Sequence, residues 1–217
     1  KLLENTFRSV NIGLVNELTL MSDRMGIDVW EVIDAAATKP FGFMPFYPGP
    51  GLGGHCIPID PFYLSWKAKE TGFEARFIEL AGQINGSMPY YVVEKVVDSL
   101  NDGGKPARGS KVLVLGVAYK ENIDDVRESP ALDVMRILGD KGASVSYSDP
   151  FVASIDEAGL KMSSVDVNMD TLAGFDCLVI TAAHDAFDYD TIVAAGVPIV
   201  DTRNALKRYS AAHIRKI

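Results

Sequence analysis

Leu3, Phe7, Val10, Leu14, Leu18, Met21 and Met25 recur at intervals of three and four residues. This spacing predicts an amphipathic helix from before Lys1 to about Arg24, stopped by Gly26. Lys1, Asn5 and Arg8 share a different face of that helix. A second helix is expected from about Asp28 to Thr38, with Asp28 as its cap. Apolar periodicity then fails from Lys39 to Ile59, an extended loop. It resumes at Asp60-Pro61, an acceptor and a proline suited to a helix start. That third helix carries Phe62, Tyr63, Leu64 and Trp66 and ends at Gly72. A long helical stretch follows from about Ala75 to Leu100, with Asn85-Gly86 and Pro89 as expected disturbances in its middle.

Asn101-Asp102-Gly103-Gly104-Lys105-Pro106 reads as a linker and places a domain boundary between a helical unit, 1–103, and a second unit, 104–217. Beyond it the period changes. Lys111 to Gly116 is a short apolar strand of the kind buried on both faces. Ser129-Pro130 opens a helix that runs to about Lys141 and stops at Gly142. Further strands are expected at Ser144–Tyr147, Asp176–Thr181 and Pro198–Asp201, with a helix near Tyr189–Ala195. Strands alternating with helices imply a parallel sheet covered by helices, so the fold class is α followed by Rossmann-like α/β. No internal repeat relates the halves.

The 217 residues suffice for two cores. A net charge of −8 argues against general nucleic-acid binding, which needs concentrated positive charge, but not against small anions held by a few local cations. No apolar run is long enough to cross a bilayer. Cys56 and Cys177 sit in unlike contexts and make a poor disulfide, which points to a reducing cytoplasm. The chain opens at Lys1 inside a helical pattern, as expected of a piece of a longer protein.

The chemistry concentrates in Tyr47–Pro61, where four glycines and four prolines fall in fifteen residues. Such a stretch forms a rigid, open-sided loop that lets another molecule approach its backbone. It delivers Cys56, beside His55 and just ahead of a helix N-terminus whose partial positive charge favours a thiolate. Cys177, inside an apolar strand, reads as a small hydrophobe. No second ligand pair with metal spacing accompanies His55 and Cys56, so no metal is expected. Asp60 has two roles open to it, as a helix cap and as a carboxylate near the thiol that takes a proton or orients water. Lys1 and Asn5 are either a solvated face or a pair of donors for a developing oxyanion.

Gly116 stands alone in the turn after the first strand of the second unit, so the G-x-G-x-x-G dinucleotide fingerprint is missing, although Asp149 mimics the acidic residue after a second strand. Lys120 and Arg127 either reach anions at the carboxyl edge of the sheet or pair with acidic residues of their own loop. Arg203, in Asp201-Thr202-Arg203-Asn204, adds a guanidinium at that edge.

Taken together, Gly49-x-Gly51-x-Gly53-Gly54-His55-Cys56-x-Pro58-x-Asp60, Lys1-x-x-x-Asn5, Tyr119-Lys120, Arg127-Glu128-Ser129 and Asp201-Thr202-Arg203 resemble the UDP-glucose/GDP-mannose dehydrogenase family over essentially the whole chain. The resemblance implies the central and C-terminal domains of an enzyme whose N-terminal NAD-binding domain is absent here. It implies oxidation of a sugar C6 alcohol to a carboxylate in two hydride transfers to NAD, with Cys56 forming a thiohemiacetal and then a thioester. Asp60 would help water release the uronate, and Lys1 and Asn5 would stabilise oxyanions. Tyr47, Gly49, Gly51, Gly53, Gly54, Tyr119, Lys120 and Arg203 match substrate-binding positions, while Arg127, Cys56 and Ile57 match positions near NAD. The loop form is most similar to UDP-N-acetylglucosamine 6-dehydrogenases serving polysaccharide precursor synthesis. UDP-glucose and UDP-N-acetylmannosamine dehydrogenases are the nearest alternatives, and a non-catalytic sugar-nucleotide-binding module is one of a different class. A homodimer through the helical unit, no nucleic acid and no membrane complete the expected partners; the isolated piece is expected to be inactive.

Overall fold

Helix α1 (Leu2–Met25) ends at Gly26, whose left-handed φ of 68° lets the next amides return to the carbonyls of Ser22 and Asp23. Its buried face is the unexpected one. Asn5, Ser9, Gly13, Asn16, Thr19 and Ser22 turn inward, whereas Leu3, Phe7, Leu14, Met21 and Met25 are exposed. Small residues let α1 approach α4 (Arg76–Asp102) so closely that a Cβ on Gly13 would lie 3.1 Å from the Ala81 Cα. The buried amides satisfy one another. Asn16 donates to Asn85 Oδ1 at 2.9 Å, and Asn85 donates to the Ser9 carbonyl at 3.1 Å.

Helix α2 (Val29–Ala37) is capped by Asp28 as the sequence predicts. Helix α3 (Asp60–Lys69) begins at Asp60 with Pro61 in its first turn, but Asp60 is not the cap. Ile59 holds the cap position without a side-chain bond. Asp60 N donates to the Cys56 carbonyl at 2.8 Å, and the Asp60 carboxylate bonds outside the helix. Helix α4 runs unbroken through Asn85-Gly86 and Pro89, contrary to expectation. Pro89 leaves the Asn85 carbonyl without its usual donor, and that oxygen faces Gly51. Burial of Met88, Val92, Val93, Val96 and Leu100 offsets the disruption, since tertiary packing outweighs local propensity.

The second half contains β1 (Lys111–Leu115), α5 (Pro130–Asp140), β2 (Ser144–Ser148), β3 (Ser154–Glu157), β4 (Leu160–Ser163), α6 (Met169–Leu172), β5 (Cys177–Ile180), α7 (Tyr189–Ala194), β6 (Ile199–Asp201) and β7 (Ile214–Lys216). The five main strands are all parallel, in the order β2-β1-β5-β6-β7. The expected α plus parallel α/β architecture is thus what the computed structural model, which describes residues 1–217, contains. One face of the sheet (Val112, Cys177, Val179, Val200) packs on α5 and the C-terminal half of α4, so core packing continues past the Gly103-Gly104 turn. The other face (Leu113, Leu115, Leu178, Ile180) packs on α6 and α7. The β3–β4 hairpin, α6 and β7 were not legible in the sequence. No helix is long and apolar enough to cross a membrane.

This strand order reverses between β1 and β5, and ligands of such sheets bind in the crevice beyond the carboxyl ends at that reversal. The Trp30 indole donates to the Ile217 carbonyl at 2.8 Å, fastening α2 to β7. The glycine loop lies over the resulting edge.

Candidate functional site

The loop between α2 and α3 is fitted to its neighbours by the absence of side chains. A Cβ on Gly53 would meet the Tyr119 Cβ at 2.5 Å and the Glu128 carbonyl at 2.9 Å. Gly54, at φ 95°, lies under the Tyr119 ring and donates from its amide to the Arg127 carbonyl at 3.1 Å. Gly49 sits against the Arg203 guanidinium and donates to Asn16 Oδ1 at 3.1 Å. Gly51 packs inward, against Pro130 and the Asn85 carbonyl.

So anchored, the loop brings Cys56 to the N-terminal end of α1. The Asn5 amide donates to Asp60 Oδ2 at 2.6 Å, and the Lys1 ammonium lies 3.8 Å from the same oxygen. Hydrogen bonding to Cys56, then the charges of Cys56 and Asp60, hold the Lys1 ammonium above its ordinary pKa. Asn5 is buried and Cys56 half-buried. His55 Nδ1 stands 3.6 Å from Cys56 Sγ. Lys1, Asn5, Cys56 and Asp60 therefore converge from two separate stretches of chain, and Ile57 follows in the turn before α3. Their arrangement offers a thiol, a cation, an amide and a carboxylate around one point, the groups needed for covalent attack and oxyanion stabilisation.

A second cluster lies at the carboxyl ends of β1, β5 and β6. Tyr47, Tyr119, Lys120, Arg203, Asn204 and Lys207 line a cleft of about 670 Å³, with Trp30 and Asp34 contributed by α2. Tyr47 stacks on Trp30 with centroids 5.7 Å apart and donates to Asp34 at 2.9 Å. Arg203 donates from Nε to the Thr181 carbonyl at 3.0 Å, and burial pushes its pKa down to about 10, still protonated at neutral pH. The buried Asp201 carboxylate shapes the turn that carries it, accepting from the amides of Arg203, Ala205 and Leu206. Neither Lys120 nor Arg203 has a carboxylate partner, which suits them to an anion. Arg127 is different, because its guanidinium is paired with Asp125 at 2.6 Å. The two readings of this loop thus divide between its two cations. Gly53, Gly54 and Tyr119 form the join between the clusters.

Asp149 supports the cleft in a way the sequence did not disclose. Fully buried, it accepts from the amides of Val117 (2.7 Å), Ala118 (3.2 Å), Phe151 (2.8 Å) and Val152 (3.1 Å). His184 Nδ1 accepts from Asn122 N at 2.9 Å, so Nε2 carries the hydrogen and donates to Asp149 at 3.0 Å. The turn amides that would cradle a pyrophosphate are already taken. Asp149 is therefore committed to the loop and free for no ribose, and the β1–α5 turn does not fit a dinucleotide.

The UDP-glucose/GDP-mannose dehydrogenase family matches this chain through its central domain over residues 1–87 and its UDP binding domain over residues 113–208. The UDP-N-acetyl-D-mannosamine dehydrogenase of Methanococcus maripaludis is 37% identical over 217 residues, covering 95% of this chain and 47% of the relative. The UDP-N-acetyl-D-glucosamine 6-dehydrogenase of Pseudomonas aeruginosa is 37% identical over 187 residues, covering 86% and 44%. Among solved structures, the UDP-D-ManNAc dehydrogenase of Pyrococcus horikoshii superposes with a TM-score of 0.86 at 33% identity, over all of this chain and 50% of the other. The chain spans about half the length of the curated relatives it matches.

Proposed function

The chain belongs to the UDP-glucose/GDP-mannose dehydrogenase family, and from that premise we propose that it is the thiol-bearing and sugar-nucleotide-binding part of an NAD-dependent UDP-N-acetylhexosamine 6-dehydrogenase. The observation that carries the reading is the convergence of Lys1, Asn5, Cys56 and Asp60 beside a cleft in which Lys120 and Arg203 lack carboxylate partners. In this reading the thiol cluster belongs to the helical unit, and the cleft lies between Trp30, Asp34 and Tyr47 of that unit and the carboxyl edge of the α/β sheet.

Lys120 and Arg203 bind the diphosphate, and Tyr47, Gly49, Gly53, Gly54 and Tyr119 shape the path from it to the thiol, with Gly51 holding the loop down on α5. Cys56 Sγ attacks the C6 aldehyde, and Lys1 and Asn5 donate to the oxygen that gains charge. A thioester then forms, and Asp60 takes a proton from the water that hydrolyses it, since a carboxylate hydrogen-bonded by an amide is well placed as a base. NAD, when bound, supplies the acceptor for hydride from C6 at each oxidation. With the β1–α5 turn closed to it, this chain offers NAD only Arg127 and the Cys56-Ile57 segment, and the 217 residues alone turn over nothing.

Calorimetric titration with UDP tests the cleft. Binding is expected, and Arg203→Met should weaken it by about 1.5–3 kcal/mol, the usual worth of a hydrogen bond to a charged group. An unchanged isotherm in that variant, or no heat with UDP, counts against the site. UDP-N-acetylglucosamine is the preferred substrate. The Methanococcus relative favours UDP-N-acetylmannosamine as the second reading, and NADH absorbance over a panel of UDP-sugars separates them.

The exposed Leu3, Phe7, Leu14, Met21 and Met25 stripe supports a homodimer through α1. Light scattering should give twice the chain mass, and Leu14→Glu should reduce it to one. A monomer before substitution removes the proposal.

A further inference from the structure

His55 and Cys56 are neighbours in sequence, yet their side chains meet, with Nδ1 3.6 Å from Sγ. In an extended segment consecutive side chains point to opposite faces. Here the backbone is pinned on both sides. Gly54 N is bound to the Arg127 carbonyl, and the Cys56 carbonyl accepts from Ile59 N and Asp60 N. The bend between those anchors turns both side chains to one side of the loop.

We propose that His55 is the proton acceptor for the Cys56 thiol. The hydrogen on Sγ passes to Nδ1, leaving a thiolate beside an imidazolium with no change in net charge. This rests on the reading of Cys56 as the nucleophile. His55 is exposed, so the imidazolium can return its proton to water.

Charged groups from three elements surround the pair. From α1, the Lys1 ammonium hydrogen-bonds Cys56 and supports the thiolate; from α3, Asp60 pairs with that ammonium. From the β1–α5 loop, Asp125 lies within electrostatic reach of His55 and favours the imidazolium, while Arg127 is occupied by Asp125. A thiol with an adjacent base and cation is the arrangement that activates cysteine nucleophiles.

The test is the rate at which iodoacetamide alkylates Cys56 in the whole chain, followed by peptide mass. The Sγ–carbon bond forms as iodide leaves, and the imidazolium then releases its proton to water. Cys177, fully buried, serves as the unreactive internal reference. At pH 7, His55→Gln should slow alkylation by about tenfold or more, as expected for loss of a general base, and its rate–pH curve should lie at higher pH. Added imidazole should restore much of the rate to His55→Ala. Equal wild-type and His55→Gln rates in folded proteins overturn the assignment, and His55→Asn replaces the glutamine variant if that one does not fold. Alkylation needs no substrate, so this failure is separate from that of the nucleophile reading, which would appear as acid formation surviving Cys56→Ser in an enzyme carrying this chain.

Discussion

Serine in place of Cys56 is expected to abolish uronate formation by an enzyme carrying this chain, with a loss of about 10⁴-fold or more in turnover to acid. The substitution changes one atom in a half-buried turn whose backbone bonds do not involve the side chain, so the fold and the cleft should survive. The chemistry does not survive it. A serine hydroxyl is a far weaker nucleophile than a thiol with a base beside it, and an ester is slower to hydrolyse than a thioester. The first oxidation, from alcohol to aldehyde, makes no use of sulfur. An aldehyde-level adduct should therefore accumulate while acid does not, a pattern that mass spectrometry of the products and NADH absorbance together would detect. UDP affinity should stay at the wild-type value. Undiminished acid formation would reject Cys56 as the nucleophile and leave the family and fold untouched.

How far the sequence disclosed this molecule depended on whether a signal was local. Gly26, Asp28 and Ser129 announced helix ends because caps act within one turn, and all three do so. The apolar runs at Lys111–Leu115 and Cys177–Ile180 marked central strands because both of their faces are covered. The thiol loop was legible because its glycines have no other reason to gather, and Gly53 and Gly54 are indeed required by the approach of Tyr119. Non-local competition hid the rest. The apolar stripe of α1 predicted a buried face, but the Asn16–Asn85 pairing and the Gly13–Ala81 approach claimed the polar side for α4. Of the two roles open to Asp60, the cap failed because Asn5, which lies 55 residues away, takes its carboxylate. Pro89 looked like a disturbance because the sheet that α4 packs on begins only at Lys111. The Asp149–His184 pair, 35 residues apart, has no sequence pattern at all.

That pair yields the largest stability effect expected in the molecule. Asp149→Ala should destabilise the fold by about 3–5 kcal/mol, because it strands three buried amides, a fourth part-buried one and the His184 Nε2 hydrogen without an acceptor. For a chain of 217 residues the melting temperature should fall by about 10 °C. The pH dependence follows from the same bonds. Burial works to raise the Asp149 pKa, but the hydrogen bond from His184 and those from Phe151 and Val117 outweigh it and hold the carboxyl below its ordinary value. A folded-state pKa below the unfolded one gives stability that is fully present above about pH 4, the unfolded value, and is lost as pH falls through the lower folded value. The gap between wild type and Asp149→Ala should thus be wide at pH 7 and narrow in acid. Denaturant melts at both pH values check this, and equal stability of the two proteins at pH 7 would remove Asp149 as the keystone of the turn. Where the variant still folds, UDP should bind it more weakly, since Val117 and Ala118 lead directly into Tyr119 and Lys120. The carboxylate that denies this turn to a dinucleotide is the same one that fixes the backbone leading to Tyr119 and Lys120.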